Sequence, residues 1–197
     1  MTDAPQRILV MGVGNPLMRD EGIGPRVAEL LMTTYDFPEH VEIADAGTMG
    51  YSILNMFTGF DHLIIVDAMR DSGHPAGTVL VLTPEALANG QVMHSLHDTR
   101  LVDVLGAAAL IDRAPETICV VMQIEEIVEW VLELSAPCEG ALPLAAGAVL
   151  DRLRELGVSP KVRADAAGFH ARVIEALRSY APMPEAPIAS QPEAQDD

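Results

Sequence analysis

Residues 8–24 read ILVMGVGNPLMRDEGIG, and their pattern indicates the fold class of the chain. It begins with a short apolar run that ends at Gly12, as is typical of a strand buried on both faces of a sheet. A helical pattern follows, in which apolar residues recur on one face: Ile23, Val27, Leu30 and Leu31. A buried strand, a glycine turn and an amphipathic helix predict the opening of an α/β domain.

The same alternation continues along the chain. Apolar runs predict four further strands at residues 41–43, 63–66, 79–82 and 118–122, and helical patterns follow at 51–57, 98–111 and 143–156. The turn before residue 79 is too short for a crossover helix, so that strand is expected to be antiparallel at a sheet edge. We therefore predict a single α/β domain whose five-stranded, mostly parallel sheet carries helices on both faces.

The sequence divides into three parts. Residues 1–160 contain all of the alternating pattern and are expected to form the α/β domain. Residues 161–180 carry an additional amphipathic helical pattern. Residues 181–197 mix prolines with acidic and small polar residues, a composition that predicts a disordered tail.

Charge and cysteine content restrict the partners and the compartment. With 12 Lys and Arg against 29 Asp and Glu, the net charge of −17 disfavours nucleic acid and anionic membrane surfaces as partners. Cys119 and Cys138 form no C-x-x-C pair; the first is expected in the core and the second in a loop. The N-terminus has no signal-peptide pattern, so we expect a cytoplasmic protein.

The glycine loop after the first strand has two interpretations. Gly12 and Gly14 begin a dinucleotide-binding pattern, but Leu17 stands in place of its third glycine. Asp20 and Glu21 would also repel a phosphate at the start of the helix. A nucleotide- or small-ligand-binding module therefore stays as an alternative, ranked below a site built from the acidic residues themselves.

Three side chains arrive separately at the carboxyl edge of the predicted sheet. Glu21 follows the glycine loop, Asp67 ends the third apolar strand, and His97 precedes the helical pattern that starts at residue 98. One Glu, one Asp and one His make a mixed oxygen and nitrogen site for a metal ion. His94 competes with His97 for the ligand role, while Asp20 is expected to act as a helix cap.

The opening segment, G-V-G-N-P-L-M-R-D-E-G-I-G at residues 12–24, resembles that of the hydrogenase maturation proteases. Three later blocks match in order: D-A-G-T at 45–48, D-H-L-I-I-V-D-A at 61–68, and S-L-H at 95–97 followed by L-V-D-V-L at 101–105. The resemblance spans residues 7–157. It implies a twisted five-stranded α/β fold and assigns the metal-contacting, catalytic roles to Glu21, Asp67 and His97.

The resemblance also implies an activity. Members of this family are metal-dependent endopeptidases that remove a C-terminal extension from the precursor of a [NiFe]-hydrogenase large subunit. Nickel is supplied by the precursor, and the isolated protein could bind another divalent metal. A monomer that contacts this precursor is expected. No Ser-His-Asp, Cys-His or H-E-x-x-H signature is visible in the sequence. A non-catalytic nickel metallochaperone stays as a further alternative.

Overall fold

The computed structural model describes residues 5–48, 56–89 and 114–164. Its main sheet has five strands: β1 (Ile8–Val13), β3 (Val41–Gly47), β4 (His62–Met69), β5 (Val79–Leu82) and β6 (Glu116–Gln123). Their spatial order is β3-β1-β4-β6-β5, and all neighbours are parallel except β5, which pairs antiparallel with β6 at the edge. The predicted fold class and the antiparallel edge strand are confirmed.

Helices cover both faces of this sheet. Helix α1 (Ile23–Thr34) and the long helix α3 (Ala136–Glu155) pack against one face and against each other, while the short helix α2 (Pro84–Asn89) contacts β6 from the other side. Alternate residues of β1 serve the two faces, since Ile8 and Val10 belong to one buried cluster and Leu9 and Met11 to the other. The sheet is therefore buried on both sides, as its continuous apolar strands require.

Several elements extend beyond their predicted bounds, and β4 and α3 are the two that bear on the site. Strand β4 continues two residues past Asp67, because Ala68 and Met69 keep pairing with β6. Helix α3 begins at Ala136 rather than at Pro143, which lies inside it. Ser135 takes the N-cap position and a proline stands in the first turn, so the helix has an ordinary start that the interior proline obscures.

A second, two-stranded sheet joins β2 (Tyr35–Asp36) to β7 (Lys161–Val162) in antiparallel pairing. The backbone amide of Arg163 also donates to the carbonyl of Thr34 over 2.9 Å. These hydrogen bonds hold the segment after α3 against the C-terminal end of α1. The additional helix and the acidic tail predicted for residues 161–197 lie almost wholly outside the described residues. Most of the predicted 51–57 helix and all of the predicted 98–111 helix also lie outside them.

Candidate active site at the carboxyl edge of the sheet

Glu21 is placed by a short 3₁₀ helix (Arg19–Gly22) between β1 and α1. The turn is very close-packed: Gly14 has φ +136°, and a Cβ at Gly14 or at Gly24 would collide with backbone carbonyls, that of Glu21 in the first case and that of Val66 in the second. Glycine is therefore required where the loop and α1 approach the strands. The result is that Glu21 is fully buried, with 0% of its surface exposed.

Asp67 lies on β4 near the same edge. Gly12 of β1 is paired with Val66, and the 3₁₀ helix contacts β4, so the register brings the loop that carries Glu21 to the level of Asp67. The side chain of Asp67 is only 1% exposed, and its Oδ1 accepts a hydrogen bond of 2.8 Å from the amide of Ala68. Two buried carboxylates thus lie at one edge of the sheet, where open α/β folds place their sites.

The third predicted residue, His97, and its competitor His94 lie outside the described residues. Within the described segments, no group of three His, Cys, Asp or Glu side chains is arranged to hold a metal ion. The trio of Glu21, Asp67 and His97 therefore stays a prediction in which the structure places two members.

Asp20 does something other than the predicted helix cap. No side chain caps α1 or the 3₁₀ helix. Instead, the fully buried Asp20 carboxylate accepts hydrogen bonds from the amides of Glu125 (3.1 Å) and Glu126 (3.2 Å). It also accepts bonds from the amide (2.7 Å) and hydroxyl (2.8 Å) of Ser135. The prediction was wrong because the partners of Asp20 come from a segment far away in the sequence.

Asp45 and His62 are two further titratable residues on strands of the main sheet. Asp45 is exposed, and its Oδ1 accepts a 2.8 Å hydrogen bond from the Gly47 amide, as expected for a turn residue. His62 is buried at the opposite edge of the sheet, where its Nδ1 lies 3.4 Å from a carboxylate oxygen of Glu116. Neither residue belongs to the candidate site.

The cysteines add no nucleophile to the site. Cys119 is buried on β6, as predicted, and Cys138 is buried in the first turns of α3 rather than in a loop. Burial raises the pKa of the Cys138 thiol, and the negative charge of Asp20 acts in the same direction. A thiol with a raised pKa is a poor nucleophile.

The loop geometry also disfavours the nucleotide alternative. A phosphate would need the backbone amides that precede α1, but the buried carboxylates of Asp20 and Glu21 occupy this stretch. Negative charge at that position opposes an anionic ligand and favours a cation.

Comparison with known proteins identifies the family. Residues 25–152 match the family model described as hydrogenase maturation protease. The hydrogenase 2 maturation protease of Escherichia coli K12 is 39% identical over 155 residues, which cover 77% of this chain and 93% of the relative. The hydrogenase expression/formation protein HupD of Rhizobium leguminosarum bv. viciae is 34% identical over 164 residues, or 82% of this chain and 81% of the relative.

Solved structures agree with this match. The hydrogenase maturating endopeptidase HybD from E. coli superposes with a TM-score of 0.74 at 37% identity, covering 81% of this chain and 99% of the other. A [NiFe] hydrogenase maturation protease HybD from Thermococcus kodakarensis, at 23% identity and a TM-score of 0.63, shares the fold over 75% of this chain and 99% of its own. The chain belongs to the hydrogenase maturation protease family.

Proposed function

We propose that this chain is the endopeptidase that removes the C-terminal extension from the precursor of a [NiFe]-hydrogenase large subunit after nickel insertion. Membership of the family makes the chain a peptidase, and therefore a hydrolase. The observation that carries the finer proposal is the burial of Glu21 and Asp67 at one edge of the sheet. These two acids, with His97, are the residues to which we assign the reaction.

The donor set fits a metal that the substrate carries. Carboxylate oxygens are harder ligands than thiolates, so Glu21 and Asp67 would engage a thiolate-bound nickel ion transiently and then release it. Burial strengthens their attraction to a cation, because the local dielectric constant is far below that of water. Nickel carried by the precursor and engaged by Glu21 and Asp67 would dock the scissile bond at the site and would be able to polarise its carbonyl group.

The decisive experiment is mass spectrometry of the large subunit from cells with and without this protein. We expect a shortened C-terminus only in its presence. The purified chain should then shorten a nickel-loaded precursor and leave a nickel-free precursor intact. An unchanged large subunit in cells that lack the protein would refute the protease proposal.

Variants test the site. Glu21→Gln, Asp67→Asn and His97→Ala are expected to lower the processing rate at least ~100-fold, comparable with the loss of a charged group from a preorganised site. Glu42→Gln is the matched control, because Glu42 is an exposed glutamate on the edge strand β3 of the same sheet. Full processing by all three site variants would refute the assignment of these residues.

The metallochaperone alternative has a different signature. Such a protein would retain nickel through purification and leave the precursor length unchanged, so metal analysis and mass spectrometry separate the two functions. Our proposal also includes a monomer that acts in the cytoplasm. Two free, buried cysteines are consistent with a reducing compartment. None of the described helices is long and apolar enough to cross a membrane.

A further inference from the structure

The single tryptophan of the chain projects into water beside the candidate site. Trp130 is 75% exposed and has φ +61°, a left-handed conformation that a bulky residue rarely adopts. Its amide donates to the carbonyl of Leu17 over 2.7 Å, and Leu17 is itself 43% exposed. Two exposed large apolar residues are thus joined through their backbones, and exposed apolar residues close together are typical of an interface centre.

The segment that carries Trp130, here called the tryptophan loop (residues 125–133), is held firmly to the loop that carries Glu21. Asp20 binds the amides at the start of the tryptophan loop. Further along it, the carbonyl of Val131 accepts a 2.8 Å bond from the amide of Arg19, and that of Leu132 accepts a 3.0 Å bond from the Arg26 guanidinium.

Arg19 also has a positive φ, of 53°, so both sides of this contact hold a non-glycine residue in the left-handed region. Strained backbone of this kind persists where the surrounding structure enforces it, and it is concentrated at functional sites. The backbone that carries Trp130 is therefore held in one conformation, so little backbone freedom remains to be lost on binding.

The charge of the tryptophan loop restricts its partner. Its acidic residues are all exposed and no Lys or Arg lies within it: Glu125, Glu126, Glu129 and Glu133. Only Glu126 has a cationic partner among the described residues, Arg19, at 3.1 Å. An acidic rim around an apolar centre fits a basic surface with an apolar recess, and it repels a second copy of a chain whose net charge is −17.

We propose that the tryptophan loop and Leu17 form the docking surface for a basic, apolar-centred face of the folded large-subunit precursor. The inference rests on the proposed function for the identity of that partner. Because Asp20 holds the start of the tryptophan loop and is followed directly by Glu21, a precursor bound at this loop would lie close to the candidate site. Docking there would align the scissile segment before the carboxylates engage it.

Incorporation of 5-fluorotryptophan tests this surface directly. The protein then gives one fluorine resonance, from residue 130, and unlabelled precursor contributes none. We expect the resonance to shift and broaden on addition of nickel-loaded precursor, whether or not cleavage takes place. A resonance unchanged by saturating precursor would overturn the proposal, and so would one that shifts with protein concentration alone, because a second copy would then be the occupant.

Kinetics provide the second readout. Trp130→Ala should raise the KM for precursor processing roughly 10- to 100-fold, as for a central interface tryptophan, and change kcat less than about twofold. Trp130→Phe should restore part of the affinity. Leu144→Ala is the control, since Leu144 is 64% exposed on α3 outside the tryptophan loop. A wild-type KM for Trp130→Ala would refute docking at the tryptophan loop and leave the protease function standing. If the wild type does not cleave the precursor but the fluorine resonance still shifts, the protease function is refuted and docking stands.

Discussion

Replacement of Asp20 should destabilise the whole domain, although this residue lies in the short connection between β1 and α1. In Asp20→Ala, the amide and hydroxyl of the buried Ser135 lose their acceptor, as do the amides of Glu125 and Glu126. Hydrogen bonds to charged groups contribute about 1.5–3 kcal/mol each. Water can replace Asp20 at the two exposed glutamates, so we count the two bonds of Ser135 and expect a loss of about 3–5 kcal/mol.

Urea unfolding followed by circular dichroism measures this loss. For a domain of this size, the corresponding drop in melting temperature is roughly 6–20 °C. Asp20→Asn should cost less, about 1.5–3 kcal/mol, since its amide oxygen can keep the three bonds of Oδ2 and only the bond from the Ser135 amide is lost. Ser135→Ala removes a single hydroxyl donor and should cost about 1 kcal/mol.

The comparison with Ser135→Ala also controls for local effects, because the double variant measures the coupling between the two side chains. A coupling of about 1–3 kcal/mol is expected for residues in one hydrogen-bond network. If Asp20→Ala unfolds within about 0.5 kcal/mol of the wild type, the carboxylate does not anchor the tryptophan loop and the reasoning is wrong.

Other substitutions and reagents test further parts of the structure. Gly140→Ala should stabilise the protein by about 0.5–1 kcal/mol, because its Cβ would meet nothing within 4 Å on α3; the same change at Gly24 should destabilise it by several kcal/mol, since the methyl group would overlap strand carbonyls. Urea titrations of the pair should therefore move in opposite directions, and equal shifts would contradict this packing. Native protein at pH 8 should resist a thiol reagent at both Cys119 and Cys138, which are buried, and react fully in urea. Because burial raises the pKa of Cys138, the folded protein holds the thiol proton to a higher pH than the unfolded chain does. The resulting stability is complete below the ordinary thiol pKa of about 8.5 and is lost as pH rises through the pKa of the folded state. Cys138→Ala should therefore flatten the decline of stability at alkaline pH.

Much of the fold follows from local pattern. The apolar runs predict the strands because a strand buried on both faces is apolar along nearly its whole length, as in β1 and in residues 63–66 of β4. The start of α3 was missed because Pro143 is a stronger helix-breaking signal than Ser135 is a helix-starting one. Ser135 at the N-cap and Pro137 in the first turn do indicate the true start of α3. The helix continues through Pro143 because its buried residues stabilise it.

The candidate site was predictable only in part. Strand ends and the glycine loop bring Glu21 and Asp67 to one edge, because parallel strands share their direction. The role of Asp20 could not be read from its neighbours, since its hydrogen-bond partners are 105 to 115 residues away. The exposure of Trp130 was equally hidden, because an aromatic residue among apolar neighbours ordinarily predicts a core position.

The strand order also constrains how the chain assembles during synthesis. Strand β6 pairs with both β4 and β5, and both of these strands leave the ribosome before it. One edge of β4 is therefore unpaired until β6 has been synthesised. Until residues 116–123 emerge, the growing chain exposes the unpaired backbone edge of the largely apolar strand β4, which could pair with another chain. The nascent protein is therefore most vulnerable to aggregation late in translation, just before β6 is complete, and fragments that end before β6 should be recovered as aggregates.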